Sequence, residues 1–177
     1  MKILITFILF MLLISCQRLS QREMLVHQII NSHQKSQKKN GIGLIGSRSS
    51  IPDEVREFIL SYVADRPLEI AEARNLFVRS AEELLTLINS NEQLRPDMAN
   101  YPFTFDNLDL DISCWDRRGR RFDPPSIGLV FLAKGNICYA FYDNQRRKFI
   151  DEIVREPYSE ARQIVLGDDA STNCFNI

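Results

Sequence analysis

Hydrophobic and polar positions along the chain follow three different rhythms. The first is an unbroken run, in which Ile3 to Ile14 is apolar apart from Thr6. The second is helical: Ile70, Ala73, Phe77, Ala81, Leu84 and Ile88 recur every three or four residues. Such a stripe predicts a helix beginning near Leu68, with Glu69 and Glu72 favourably placed in its first turn and Asn89-Ser-Asn91 closing it. The third is a period of two. Phe58, Leu60 and Tyr62 share one face of a strand over 57–64, which Asp65-Arg-Pro67 stops; Leu108, Leu110, Ile112 and Cys114 alternate with Asp109, Asp111 and Ser113. Further strands are expected over 126–134 and 137–143 around a Gly135-Asn136 hairpin signal, and over 148–155. Pro157 and Gly167 bracket a closing helix, Tyr158 to Leu166. The order β-α-β-β-β-β-α predicts one α+β domain over 51–167, a largely antiparallel sheet of about five strands with helices on one face, followed by a polar tail, 168–177.

The unbroken run is too short to span a bilayer. Twelve helical residues rise about 18 Å, against a hydrocarbon core of about 30 Å. With Lys2 ahead of it and a small residue near its end, the run reads as a secretory signal peptide. Its last residues, Leu13-Ile14-Ser15-Cys16, resemble the lipobox of bacterial lipoprotein precursors. That resemblance implies removal of residues 1–15, lipid (palmitate among its acyl chains) on Cys16, export, and anchorage in a membrane. Glutamine rather than aspartate at position 17 implies the outer membrane where the envelope has one, and otherwise the cell surface. The residues alone also accommodate an ordinary signal peptide cleaved nearby without lipidation. Further on, Ile88-Asn-Ser-Asn-Glu-Gln-Leu-Arg-Pro96 with Tyr101-Pro-Phe-Thr104 is similar to small, uncharacterised bacterial lipoproteins, which brings no activity with it.

Residues 16–50 are expected to form the lipidated end and a flexible basic tether. Arg18, Arg22, Lys35, Lys38, Lys39 and Arg48 face one acid, Glu23, for a net charge of +5. Leu25 with Ile29 and Val26 with Ile30 allow a short helix around 19–33. The arm reads first as a solvated spacer, and alternatively as a segment lying near anionic lipid. Gly41-Ile-Gly-Leu-Ile-Gly46 fits G-x-G-x-x-G literally, but no strand precedes it and no helix opens at it, so it is expected to be a hinge or short extended stretch rather than a dinucleotide site. Ser32-x-x-Lys35 and Ser36-x-x-Lys39 lack the S-D-N and K-T-G elements that penicillin-interacting enzymes need.

Composition narrows the chemistry. With 177 residues, 45% hydrophobic and 25% charged, and a net charge of −1, the chain is globular and carries no basic excess for nucleic acid. The only histidines are His27 and His33, so a Ser-His or Cys-His nucleophile pair requires the arm to fold back onto the domain. No C-x-x-C spacing suggests zinc, and Asp106, Asp109 and Asp111 lack the calcium-loop spacing, so neither metal nor cofactor is expected. Glu82-Glu83 and Asp168-Asp169 read as surface pairs. Beyond Cys16, a meander puts Cys114 and Cys138 toward opposite ends of the sheet, too far apart for a bridge. Cys174 is left to pair with either, or all three stay reduced.

The same meander brings two turns to one end. Arg117, Arg118, Arg120 and Arg121 then share an edge with Arg146, Arg147 and Lys148, diluted by Asp116, Asp123 and Asp143 to a net of +4. That edge suits an anionic envelope component or protein, or is simply a pair of soluble hairpin tips. The expected function is a membrane-anchored envelope lipoprotein presenting an interaction domain. A small-ligand-binding lipoprotein and a carboxylate-based hydrolase are the alternatives.

Overall fold

The computed structural model describes residues 21–49 and 54–172. Within them the elements run α1 (Gln21–Lys39), β1 (Ile42–Ser49), β2 (Phe58–Ala64), α2 (Ile70–Asn89), β3 (Leu108–Cys114), β4 (Leu129–Ala133), β5 (Asn136–Asp143), β6 (Lys148–Pro157) and α3 (Tyr158–Thr172). The strands form one sheet in the order β1-β2-β3-β4-β5-β6. Neighbours are antiparallel except β2 and β3, which are parallel and joined by the crossover helix α2. The fold is α+β, with six strands rather than about five.

Alternation explains the layering. Phe58, Leu60, Tyr62 and Ala64 of β2 and Leu110 and Ile112 of β3 are fully buried, together with Ala73, Phe77, Ala81 and Leu84 of α2. The opposite strand face places Ser61 beside Asp111 and Asp111 beside Phe131, all half-buried. Asp111 accepts a hydrogen bond from Ser61 Oγ at 2.5 Å, while Asp109 is exposed. The β4–β5 turn is one residue earlier than the sequence suggests. Ala133 pairs with Asn136, and Lys134 and Gly135 both take positive φ (50° and 76°), the backbone of a two-residue hairpin turn.

The expected flexible tether is corrected. Residues 21–49 belong to the domain, as a helix of 19 residues and an edge strand that pairs with β2 along its length. Leu25, Val26, Ile29, Ile30, His33 and Gln37 are buried along one side of α1, so its apolar stripe continues through two polar residues that hydrophobic periodicity does not register. Of Gly41–Gly46, Gly41 closes a turn at φ 78° and Ile42 to Gly46 are extended, as the start of edge strand β1. Gly167 does not end the closing helix either: α3 continues to Thr172, and Gly167 is not among the positive-φ glycines that a left-handed cap requires. Cys114 and Cys138 are buried and unbridged, the latter beside Phe131, which sits opposite Asp111, three residues short of Cys114. Cys16 and Cys174 lie outside the described residues.

The sheet has two unlike ends. At one, the connections β3–β4 and β5–β6 meet the C-terminus of α1 and the start of α2. At the other lie the N-terminus of α1, the C-terminus of α2 and the start of α3: Arg22 Nη2 donates to Asp97 Oδ1 at 2.7 Å, Asn89 exchanges two hydrogen bonds with the Phe103 backbone, and the Tyr158 N–H donates to Gly135 O at 3.0 Å.

Candidate anionic-partner interface

The seven basic residues do share one end of the sheet, and a mesh of short-range bonds holds the two turns together. Asp116 builds the first. Its carboxylate accepts the N–H groups of Arg118 and Arg120 at 2.8 and 3.0 Å and Arg120 Nε at 2.9 Å, while Gly119 at φ 76° closes the turn. The Arg120 N–H above all holds this carboxyl below the usual carboxylate range. Asn144, in the second turn, reaches across: its Nδ2 donates to Arg121 O at 2.8 Å and to Asp123 Oδ1 at 2.9 Å. Gly128 permits the close approach, since a Cβ there would stand 3.0 Å from that of Tyr142 and 3.2 Å from the Phe149 ring.

The arginines are not equivalent. Arg121 is withdrawn from the edge. Its guanidinium lies 4.6 Å from the Phe149 ring centre, 5.3 Å from Trp115 and 5.4 Å from Tyr142, and Nη1 donates to Gly128 O at 2.5 Å. It is a bolt through an aromatic cage, spent on structure. Arg117 donates to Asp65 at 3.0 Å, Arg120 pairs with Asp116 and Arg146 with Asp143, all as exposed, weakly held pairs. Arg118, Arg147 and Lys148 are exposed and form no ion pair with a described residue. The cage is the feature that sequence reasoning missed, since Trp115, Tyr142 and Phe149 lie on three separate strands or turns.

Between the two turns opens a cavity of about 510 Å³ lined by Asp116, Arg120, Arg121, Phe122, Asp123 and Asn144. It holds two carboxylates, the arrangement a hydrolase would need. Both are engaged, however, Asp116 by backbone donors, which hold it below the usual carboxylate range, and Asp123 by Asn144. Asp111, whose carboxyl burial raises, lies on the opposite sheet face bonded to Ser61 and does not line this cavity.

The arm does fold back, which brings a histidine to a serine. Among α1, β2 and α2, His33 Nε2 donates to Ser80 O at 2.9 Å, which fixes Nδ1 as the acceptor of Tyr62 Oη–H at 2.7 Å. Gln37 Nε2 donates to Glu83 at 2.8 Å. His33 and Ser80 are fully buried, and burial lowers the imidazole pKa. Sealed from solvent, with Nε2 committed to a carbonyl and 3.4 Å from Ser80 Oγ, the pair has no means of acting on a substrate. Cys114 is equally inert, its thiol pushed up to about 12 by burial. Among the described residues no group of three or more His, Cys, Asp or Glu side chains could hold a metal ion.

Fold and site together define a one-sheet α+β domain with helices against one face and a cluster of arginines at one end. Comparison with protein-family models, with curated proteins and with solved structures finds no match. No helix among the described residues is long and apolar enough to cross a membrane.

Proposed function

We propose that this is a membrane-anchored envelope lipoprotein, held by lipid on Cys16, whose α+β domain binds an anionic partner through the basic end of its sheet. The observation that carries the reading is the bridging of the two turns by Asn144, which sets on one edge Arg118, Arg147 and Lys148, all exposed and without an ion pair to a described residue. Exposed guanidinium groups suit bidentate contact with carboxylate or phosphate. The hydrolase alternative lacks an available acid–base pair among the described residues. The lipid anchor rests on the resemblance of Leu13-Ile14-Ser15-Cys16 to a lipobox.

Two measurements test the reading separately. Radiolabelled palmitate should enter the wild-type chain and not Cys16→Ala; equal labelling, or none in either, refutes the anchor. The variant Arg118→Ser/Arg147→Ser/Lys148→Ser should elute from an immobilised polyanion at clearly lower salt than wild type, because fewer counterions are displaced. Coincident elution refutes the interface.

A further inference from the structure

The end of the sheet opposite the arginines is built differently. There α2, α3 and the segment 102–105 border an open groove of about 710 Å³, in which Leu85, Pro102 and Phe105 over buried Phe103 and Tyr158 give an apolar floor between polar residues such as Thr86 and Asn89. Phe105 stacks on Tyr158 with ring centres 4.8 Å apart. Glu82, the groove's one carboxylate, is already neutralised, accepting from Tyr158 Oη at 3.0 Å and Arg162 Nε at 2.6 Å. Tyr101 stands at the rim 48% exposed, with the Arg95 guanidinium 4.4 Å over its ring, and Met24, in the first turns of α1, is 47% exposed. An apolar cleft edged by tyrosine and arginine is the chemistry of a membrane–water interface.

The path of the chain says which surface this end meets. Cys16, the proposed lipid attachment point, precedes by five residues Gln21, the start of α1, which lies at this end and not the other. Five residue steps from Cys16 to Gln21 span at most about 17 Å, whereas α1 alone carries the chain about 28 Å toward the arginines. A chain held to a bilayer by its N-terminal residues therefore keeps the groove near the lipid and the basic edge on the far side.

We propose that the groove end, with Tyr101 and Met24, docks on the bilayer that holds the N-terminus, its apolar lining meeting lipid hydrocarbon, so that the basic edge is presented away from that bilayer. This rests on the proposed membrane attachment and sharpens it: the anionic partner is met in trans and is not the anchoring membrane.

The chain carries its own control, because its single tryptophan, Trp115, lies at the basic end. Full-length protein extracted from membranes is reconstituted in phosphatidylcholine/phosphatidylglycerol vesicles containing brominated lipid. Trp115 should keep its emission, whereas Tyr101→Trp in a Trp115→Phe background should lose several-fold more. Equal loss at both positions, greater loss at Trp115, or no loss at position 101 overturns the docking. Adding Met24→Asp to the reporter chain should reduce its quenching, and unchanged quenching counts against this face. Since detergent-extracted chain is placed in vesicles whatever attaches it, failure here is distinguishable from failure of the lipid anchor, which the palmitate comparison reads alone.

Discussion

An arginine's contribution depends on what surrounds its guanidinium, and the basic end of this sheet holds both extremes within four residues. Arg121 is ringed by Trp115, Tyr142 and Phe149 and bonded to a main-chain carbonyl, whereas Arg118 projects into solvent. Arg121→Ala should therefore lower stability by about 2 kcal/mol, combining a partly desolvated cation–π contact with a charge-assisted hydrogen bond. Arg118→Ala should stay within about 0.5 kcal/mol of wild type. Urea unfolding at constant m-value separates them; equal midpoints would show that the cage holds nothing together. Sequence placed both residues on one edge, because alternation and turn spacing define the meander. It could not rank them, because the cage is assembled from residues far apart in sequence whose meeting depends on strand register.

At the scale of elements, α1 is where sequence reading fell short. Helical periodicity is visible for Leu25, Val26, Ile29 and Ile30 and then meets His33 and Gln37, which read as solvated although they are fully buried. Those two extend the stripe because partners await them: Tyr62 from β2, the Ser80 carbonyl and Glu83 from α2. The same bonds make the attachment of α1 sensitive to acid. Burial lowers the His33 pKa below its ordinary 6.5, with the Ser80 hydrogen bond and the Glu83 charge opposing more weakly. A depressed imidazole pKa means the folded state prefers the neutral ring. The stability it contributes is fully present above pH 6.5 and is lost as pH falls toward the folded-state value. Protonation would also remove the acceptor that Nδ1 offers Tyr62. Amide protection factors in α1 should fall below pH 6.5 more than those in β4 or β5, and the difference should shrink in His33→Leu. A uniform fall across the sheet would mean that another group governs the acid response.

For the whole molecule, the relevant boundary is where the folding unit begins. Composition suggested a domain from residue 51, since the arm before it is basic, polar and glycine-punctuated. The fold places the boundary before Gln21, because α1 covers the sheet and β1 pairs with β2 over Ile42–Ser49. Leu25, Val26, Ile29, Ile30 and Ile42 are each at most 7% exposed. At about 1.5–3 kcal/mol per buried aliphatic side chain, their removal forfeits on the order of 10 kcal/mol, comparable to the whole stability of a small domain, about 5–15 kcal/mol. Truncation would also strip the hydrogen-bonding edge of β2 and leave Tyr62 without His33. A chain starting at Gln21 should unfold in one cooperative thermal transition. A chain starting at Ile51 should show none, or should aggregate through the uncovered strand. Cooperative melting of the shorter chain at a similar temperature would return residues 21–49 to the role of a tether. It would also remove the fixed 28 Å offset that sets the basic edge away from the N-terminal attachment.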